Sequence, residues 1–105
     1  MRLAPDDVLT NRFAAAMYIA SGRVADAEPP LKKLAREMQG QMLLAEYYIG
    51  TRRTDEAKVI LEQVANEPQG FAPAKVRLAA LALAASDRAG AARLLDEVLA
   101  KEDKN

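Results

Sequence analysis

Ser21 and Ser86 carry the only serine hydroxyls of the chain, and a serine nucleophile needs a neighbouring base to take its proton. The chain has no histidine and no cysteine, so the commonest general base, the thiolate nucleophile and the usual zinc ligands are missing together. Both serines fall between expected helices and read as turn or cap residues. Carboxylates stand side by side at Asp6-Asp7, Asp55-Glu56 and Asp96-Glu97, and acid–base work would require two of them to converge on one reacting atom. Adjacent residues on a helix diverge by about 100°, so none of these pairs converges. The first two read as helix-start charges, and the third as part of a solvated face on which Glu97 stands four residues before Lys101. Glu28 and Lys32 have the same spacing. The basic doublets Lys32-Lys33 and Arg52-Arg53 read as solubilising charge, and no glycine-rich phosphate loop is present. The expectation is a protein that is not an enzyme and holds no cofactor or metal.

What must position these residues is helical. Ala and Leu dominate, and the aromatic residues are limited to Phe13, Tyr18, Tyr47, Tyr48 and Phe71. Ala and Leu lose little freedom in a helix, whereas the β-branched and aromatic residues that favour strands are scarce. At 105 residues the chain is long enough for one modest core, so a single all-α domain over 1–105 is expected. Fifteen basic and fifteen acidic side chains cancel, leaving no field to attract a phosphate backbone, and nucleic acid is not an expected partner. The apolar run Leu78 to Ala85 falls short of the ~20 residues a bilayer requires, so no membrane insertion is expected. The compartment stays open, because a cysteine-free helical protein suits cytoplasm and periplasm alike.

Punctuation divides the chain into six helices. Asp6, Asp7 and Thr10 offer caps for the first, which should reach Ala20 before Ser21-Gly22 breaks it. The second should begin near Val24 to Asp26 and end near Met38, starting late or kinking at Pro29-Pro30, with Gln39-Gly40 as the next break. The third covers about 41–49, and Thr54 reads as the N-cap of the fourth, which ends before Glu67-Pro68-Gln69-Gly70. Pro73 suits the first turn of a fifth helix reaching Ala85. The sixth runs from about Arg88 to Lys101, weakened at its start by Gly90. Gly22, Gly40, Gly50 and Gly70 all fall at expected helix ends, where a left-handed cap is useful.

One phrase recurs through these helices: a small residue, Leu four residues on, and an aliphatic three beyond. It reads Ala27, Leu31, Leu34, then Ala57, Leu61, Val64, then Ala91, Leu95, Val98, with the anchors 30 and 34 residues apart. Nine residues before each anchor stand Tyr18, Tyr48 and Ala82, twelve before stand Ala15, Ala45 and Ala79, and thirteen before stand Ala14, Leu44 and Leu78. The pattern resembles the tetratricopeptide repeat, whose period is 34 residues, in a degenerate form like that of bacterial members. The expected tryptophans are replaced by Asn11, Gln41 and Lys75, and the first linker is four residues short. The resemblance implies an α-α superhelix, or solenoid, of three antiparallel helix pairs over about 7–38, 41–66 and 71–102. Ala at the anchors would let paired helices approach closely, with Leu31, Leu61 and Leu95 filling the seam.

It also implies a non-catalytic scaffold that binds a protein or peptide segment in a concave groove lined by the first helix of each pair. Mapped here, the groove comprises Leu9, Arg12, Ala16 and Ile19, then Met42, Glu46 and Ile49, then Val76, Ala80 and Leu83, with Arg12 and Glu46 as its only charges. Members that clamp acidic chaperone tails use Lys, Asn and Arg where this chain has Ala16, Phe13, Gln39 and Leu43, so that activity is not expected. The alternative is a structural or oligomerising segment of a longer repeat protein. Leu3-Ala4-Pro5-Asp6-Asp7 resembles the tail of a preceding repeat, and no capping helix follows Val98-Leu99, so a homodimer through the terminal helix pairs is the expected association.

Overall fold

The computed structural model describes residues 7–103, and among them it is all-α, with no strand. Helix α1 spans Val8–Ala20, a short 3₁₀ turn Val24–Ala27, α2 Glu28–Leu34, α3 Met38–Gly50, α4 Thr54–Ala65, α5 Phe71–Ala84 and α6 Arg88–Asp103. Each helix packs on the helices before and after it in the chain, within an envelope of 49 × 31 × 18 Å. The suggested repeat tail at Leu3 to Asp6 lies outside the described residues.

Local chemistry explains most boundaries. The Asp7 carboxylate accepts from the Thr10 backbone at 2.8 Å, which caps α1, and Asn11 Nδ2 donates back to the Asp7 carbonyl at 2.8 Å. Pro29 and Pro30 lack the N–H groups that would carry a regular helix back through Val24–Ala27, so those residues tighten into a 3₁₀ turn and α2 begins at Glu28. Two expected boundaries are corrected: α2 ends at Leu34 rather than Met38, and α3 begins at Met38 rather than Gln41. Gln39-Gly40 is therefore the first turn of α3, not a break. Gly40 is buried there against the end of α2, and a Cβ on it would fall on the Leu34 carbonyl. Thr54 is the first residue of α4 and Arg53 its N-cap, with no side-chain capping bond. Gly90 is in place for a reason: its N–H donates to Asp87 Oδ1 at 2.9 Å, and a Cβ would strike that carboxylate.

The three turns within the pairs are alike. After α1, Arg23 N–H donates to the Tyr18 carbonyl at 2.7 Å and Gly22 N–H to Ile19 at 3.2 Å. After α3 the same two bonds run from Arg53 to Tyr48 at 2.7 Å and from Arg52 to Ile49 at 3.2 Å. After α5 they run from Asp87 to Ala82 at 2.8 Å and from Ser86 to Leu83 at 2.9 Å. This is the Schellman arrangement, which requires a left-handed residue, and the φ values are 83° at Gly22, 65° at Arg52 and 66° at Ser86. Only the first turn thus uses glycine; Gly40, Gly50 and Gly70 have no positive φ. A left-handed L-residue costs roughly 1–2 kcal/mol, partly offset by the greater freedom glycine has when unfolded. Arg52→Gly and Ser86→Gly should therefore each stabilise the fold by about 0.5–1 kcal/mol. A lowered urea midpoint in either variant would contradict that reading.

The continuous core runs from α1 to α5, with Leu61 and Val64 of α4 its largest fully enclosed side chains. Ala27, Ala57 and Ala91 are all buried, as the close-approach reading of the anchors requires. The leucines that follow them divide: Leu31 is 5 % exposed and Leu61 0 %, but Leu95 is 43 % exposed. The seam reading is corrected at Leu95. Leu31 lies on α2, which packs on α3, and Leu61 on α4, which packs on α5, whereas α6 meets no later helix among the described residues.

Candidate interaction surface

The expected groove residues come from α1, α3 and α5. Arg12, Met42 and Glu46 meet in an open furrow of about 350 Å³ together with Met38, Leu43 and Arg77. A second hollow, about 440 Å³, joins Ile19 to Glu46 and is mostly apolar, with Val24, Leu31, Leu43, Tyr47 and Thr51 in its walls. Leu43 and Glu46 belong to both, so the two hollows adjoin along α3. Leu9, Ala16, Val76, Ala80 and Leu83 are exposed on their helices and line neither hollow, and half-buried Ile49 does not line them either.

The charge of this surface differs from expectation. Arg77 Nε donates to Glu46 Oε1 at 2.9 Å, tying α5 to α3, so Arg12 and Glu46 are not its only charges. Glu46 is neutralised across the furrow, whereas Arg12 lies at its edge on α1. Sequence reasoning missed Arg77 because it stands one position beyond Val76, and a step of about 100° set it beside the chosen stripe.

A second pattern was also missed, and it repeats. The Arg23 guanidinium lies 4.7 Å from the centre of the Tyr18 ring and binds Asp26 at 2.8 Å; Arg53 lies 4.4 Å from the Tyr48 ring and binds Glu56 at 2.6 Å. Ring, guanidinium and acid therefore recur at the anchor spacing, the arginine holding the turn against the ring face. The legible signal was Tyr, Arg five residues on, and an acid three beyond. The solubilising reading of the doublet Arg52-Arg53 is corrected at Arg53, which ties Glu28 of α2 to Glu56 of α4.

Glu28 extends this tie between pairs. It accepts from the Tyr48 hydroxyl at 2.9 Å and from Arg53 at 2.6 Å, and Lys32 stands 3.3 Å away. Hydrogen bonds from Arg53 first, then Tyr48, lower the Glu28 pKa from 4.5 to about 2. Burial and the same carboxylate push the Tyr48 hydroxyl up from 10.0 to about 12. Because the folded-state pKa of Glu28 is depressed, its contribution is complete above the unfolded value of 4.5 and fades as the pH falls towards 2. Across that window the protein should lose about 1 kcal/mol more than Glu28→Gln, allowing for solvent screening. Urea midpoints of the two proteins that fall in parallel with acid would remove Glu28 from this role.

Two further charges are placed differently from the solvated face first assigned to them. Glu97 pairs with Lys75 at 2.8 Å rather than with Lys101, whose ammonium lies 4.0 Å from the centre of the Phe71 ring. Among the described residues no helix is long and apolar enough to cross a membrane. Comparison with family models, with curated proteins and with solved structures gives no match. What the chain shows is an internal repeat, which recurs in sequence, in turn geometry and, in the first two pairs, in the tyrosine–arginine contact.

Proposed function

We propose that this chain is a non-catalytic scaffold of tetratricopeptide type, a short superhelix of helix pairs that binds a peptide segment of a partner protein. The observation that carries the reading is the pair of adjoining hollows beside α1 and α3, with Leu43 and Glu46 shared between them. Their apolar walls would take up side chains of an extended or helical segment, and Arg12 and the Glu46–Arg77 pair would set that segment's direction. Peptides selected on the intact protein from a displayed library test this. They should bind at least tenfold more weakly to Leu43→Glu and to Arg12→Glu, both exposed helical positions that line the furrow. Equal binding to both folded variants would overturn the groove.

A second reading, a structural segment that stacks on further helix pairs, is favoured by Leu95. At the equivalent positions Leu31 and Leu61 are buried, and Leu99, also on α6, is exposed with it. Association through this face predicts a weight-average mass that rises with concentration and ceases to rise in Leu95→Glu. A strict monomer at high concentration in light scattering would refute it.

A further inference from the structure

The third pair lacks the tyrosine of the other two, and the structure has a cleft where that ring would lie. In the junction of α2 and α3, the Tyr48 ring is only 4 % exposed, its hydroxyl bound to Glu28 and its face covered by Arg53. Counting along the repeat, the junction of α4 and α5 has Ala82 for Tyr48, Lys58 for Glu28 and Asp87 for Arg53. All three line one cleft of about 520 Å³, whose apolar walls include Leu78, Phe71 and Leu94. That volume falls in the range of about 300–1,000 Å³ common for small-ligand sites.

The substitutions also reverse the charge that a ring would meet. A tyrosine hydroxyl in the first junction donates to a carboxylate; a ring placed likewise in the second has its polar end towards the Lys58 ammonium, which wants an acceptor or an anion. Lys58 has no ion-pair partner among the described residues, since Lys58 to Glu62 runs in the less favourable order and no pair forms. Of the two acids at the cleft, Asp87 is engaged at the start of α6, its Oδ1 accepting from Gly90 N–H at 2.9 Å, and Glu62 stands one turn along α4 from Lys58. Lys75 also lines the cleft, 5.6 Å from the centre of the Phe71 ring, but its ammonium is paired with Glu97 at 2.8 Å, so Lys58 is the cation among the described lining residues that is left for an anion. We infer that the cleft between α4, α5 and α6 binds an aromatic ring that ends in an anion, the ring beside Ala82 and Leu78 and the anion at Lys58. The cleft shares no residue with the hollows beside α1 and α3, so the two sites stand or fall separately.

The test is a titration of the intact protein followed by amide chemical shifts. Phenyl phosphate should bind saturably, with shifts centred on Lys58, Leu78 and Ala82, while p-cresol and inorganic phosphate should each bind at least tenfold more weakly. A short phosphotyrosine peptide forms a second arm. Tighter binding than phenyl phosphate assigns the ring to a partner's side chain, equal or weaker binding assigns it to a free aryl anion, and both support the site. Ala82→Tyr, which puts the missing ring into the cleft, should abolish binding. Lys58→Glu lies on the exposed face of α4 and should weaken phenyl phosphate at least tenfold even if the first variant folds poorly. No saturable binding of either anion, shifts centred elsewhere, or unchanged affinity in Lys58→Glu would overturn the inference.

Discussion

Tyr48→Ala is expected to destabilise the protein by about 3–5 kcal/mol, the range for truncating a large buried aromatic side chain. The ring lies in the continuous core, and three side chains close on it: Glu28 from α2, Arg53 from the turn, and the adjacent Tyr47 of α3, whose ring centre is 5.8 Å away. Truncation removes the ring from Arg53 and the hydroxyl from Glu28 while leaving both charges in place, so lost packing and a weakened polar network add. Tyr48→Phe separates the terms. It keeps the ring and deletes only the 2.9 Å bond to Glu28, and should cost about 1.5 kcal/mol, as expected for a bond to a charged acceptor. Because domains of this kind have about 5–15 kcal/mol in total, Tyr48→Ala can sit near its unfolding limit, and Tyr48→Phe preserves a measurable transition. Urea unfolding giving the two variants the same cost would show that ring packing contributes nothing beyond the hydroxyl.

The same contrast explains why the pairs are unequal partners in one fold. Ala82 and Asp87 make the second junction resemble what Tyr48→Ala would produce in the first, and the continuous buried cluster ends at Ala74 of α5, with Ala79, Ala91 and Val98 buried outside it. The third pair holds by other means: the Asp87 cap, the Lys75–Glu97 pair at 2.8 Å and the Lys101 contact with Phe71. Exposed pairs of this sort contribute less than a buried ring. The last pair is therefore expected to be the first to open, with its amides exchanging faster than those of α3 and α4.

Much of this was legible in the chain because the anchors report packing directly. Ala27 and Ala57 have no room for more than a methyl group, so their spacing carried the pairing of helices into the sequence. The furrow was half legible. A helical stripe picks out a face, which brought Arg12, Met42 and Glu46 together, but it cannot tell which neighbour reaches across, which is why Arg77 was missed. Glycine misled most. A left-handed turn and a close backbone approach both select it, and sequence does not separate the two; Gly22 serves the first need and Gly40 the second, while Arg52 and Ser86 adopt positive φ without it. The short first period has a matching cause. Relative to the second, the helical stretch before the linker is one residue shorter, the linker spans 35–37 rather than 66–70, and α3 has 13 residues against 14 in α5.

That tight first linker makes Gly40→Ala the sharpest test of the junction, because two effects of opposite sign meet there. Helix propensity alone favours alanine over glycine by about 1 kcal/mol, and Gly40 lies within α3. Sterics oppose it: the added Cβ would overlap the Leu34 carbonyl and crowd the Ala35 nitrogen, which are backbone atoms that no rotamer change can move aside. Relief requires α2 and α3 to separate, uncovering Leu34 and Leu44, both now buried. Sterics should win, with a net loss of about 3 kcal/mol, at the upper end for overpacking. Gly50 supplies the control on the same helix. A Cβ there meets nothing within 4 Å and the residue has no positive φ, so Gly50→Ala should gain about 0.5 kcal/mol. One substitution on one helix then has opposite signs at positions 40 and 50, in its first turn and at its last residue. If both variants raised the urea midpoint, the close approach of α2 to α3 would not be what holds this junction.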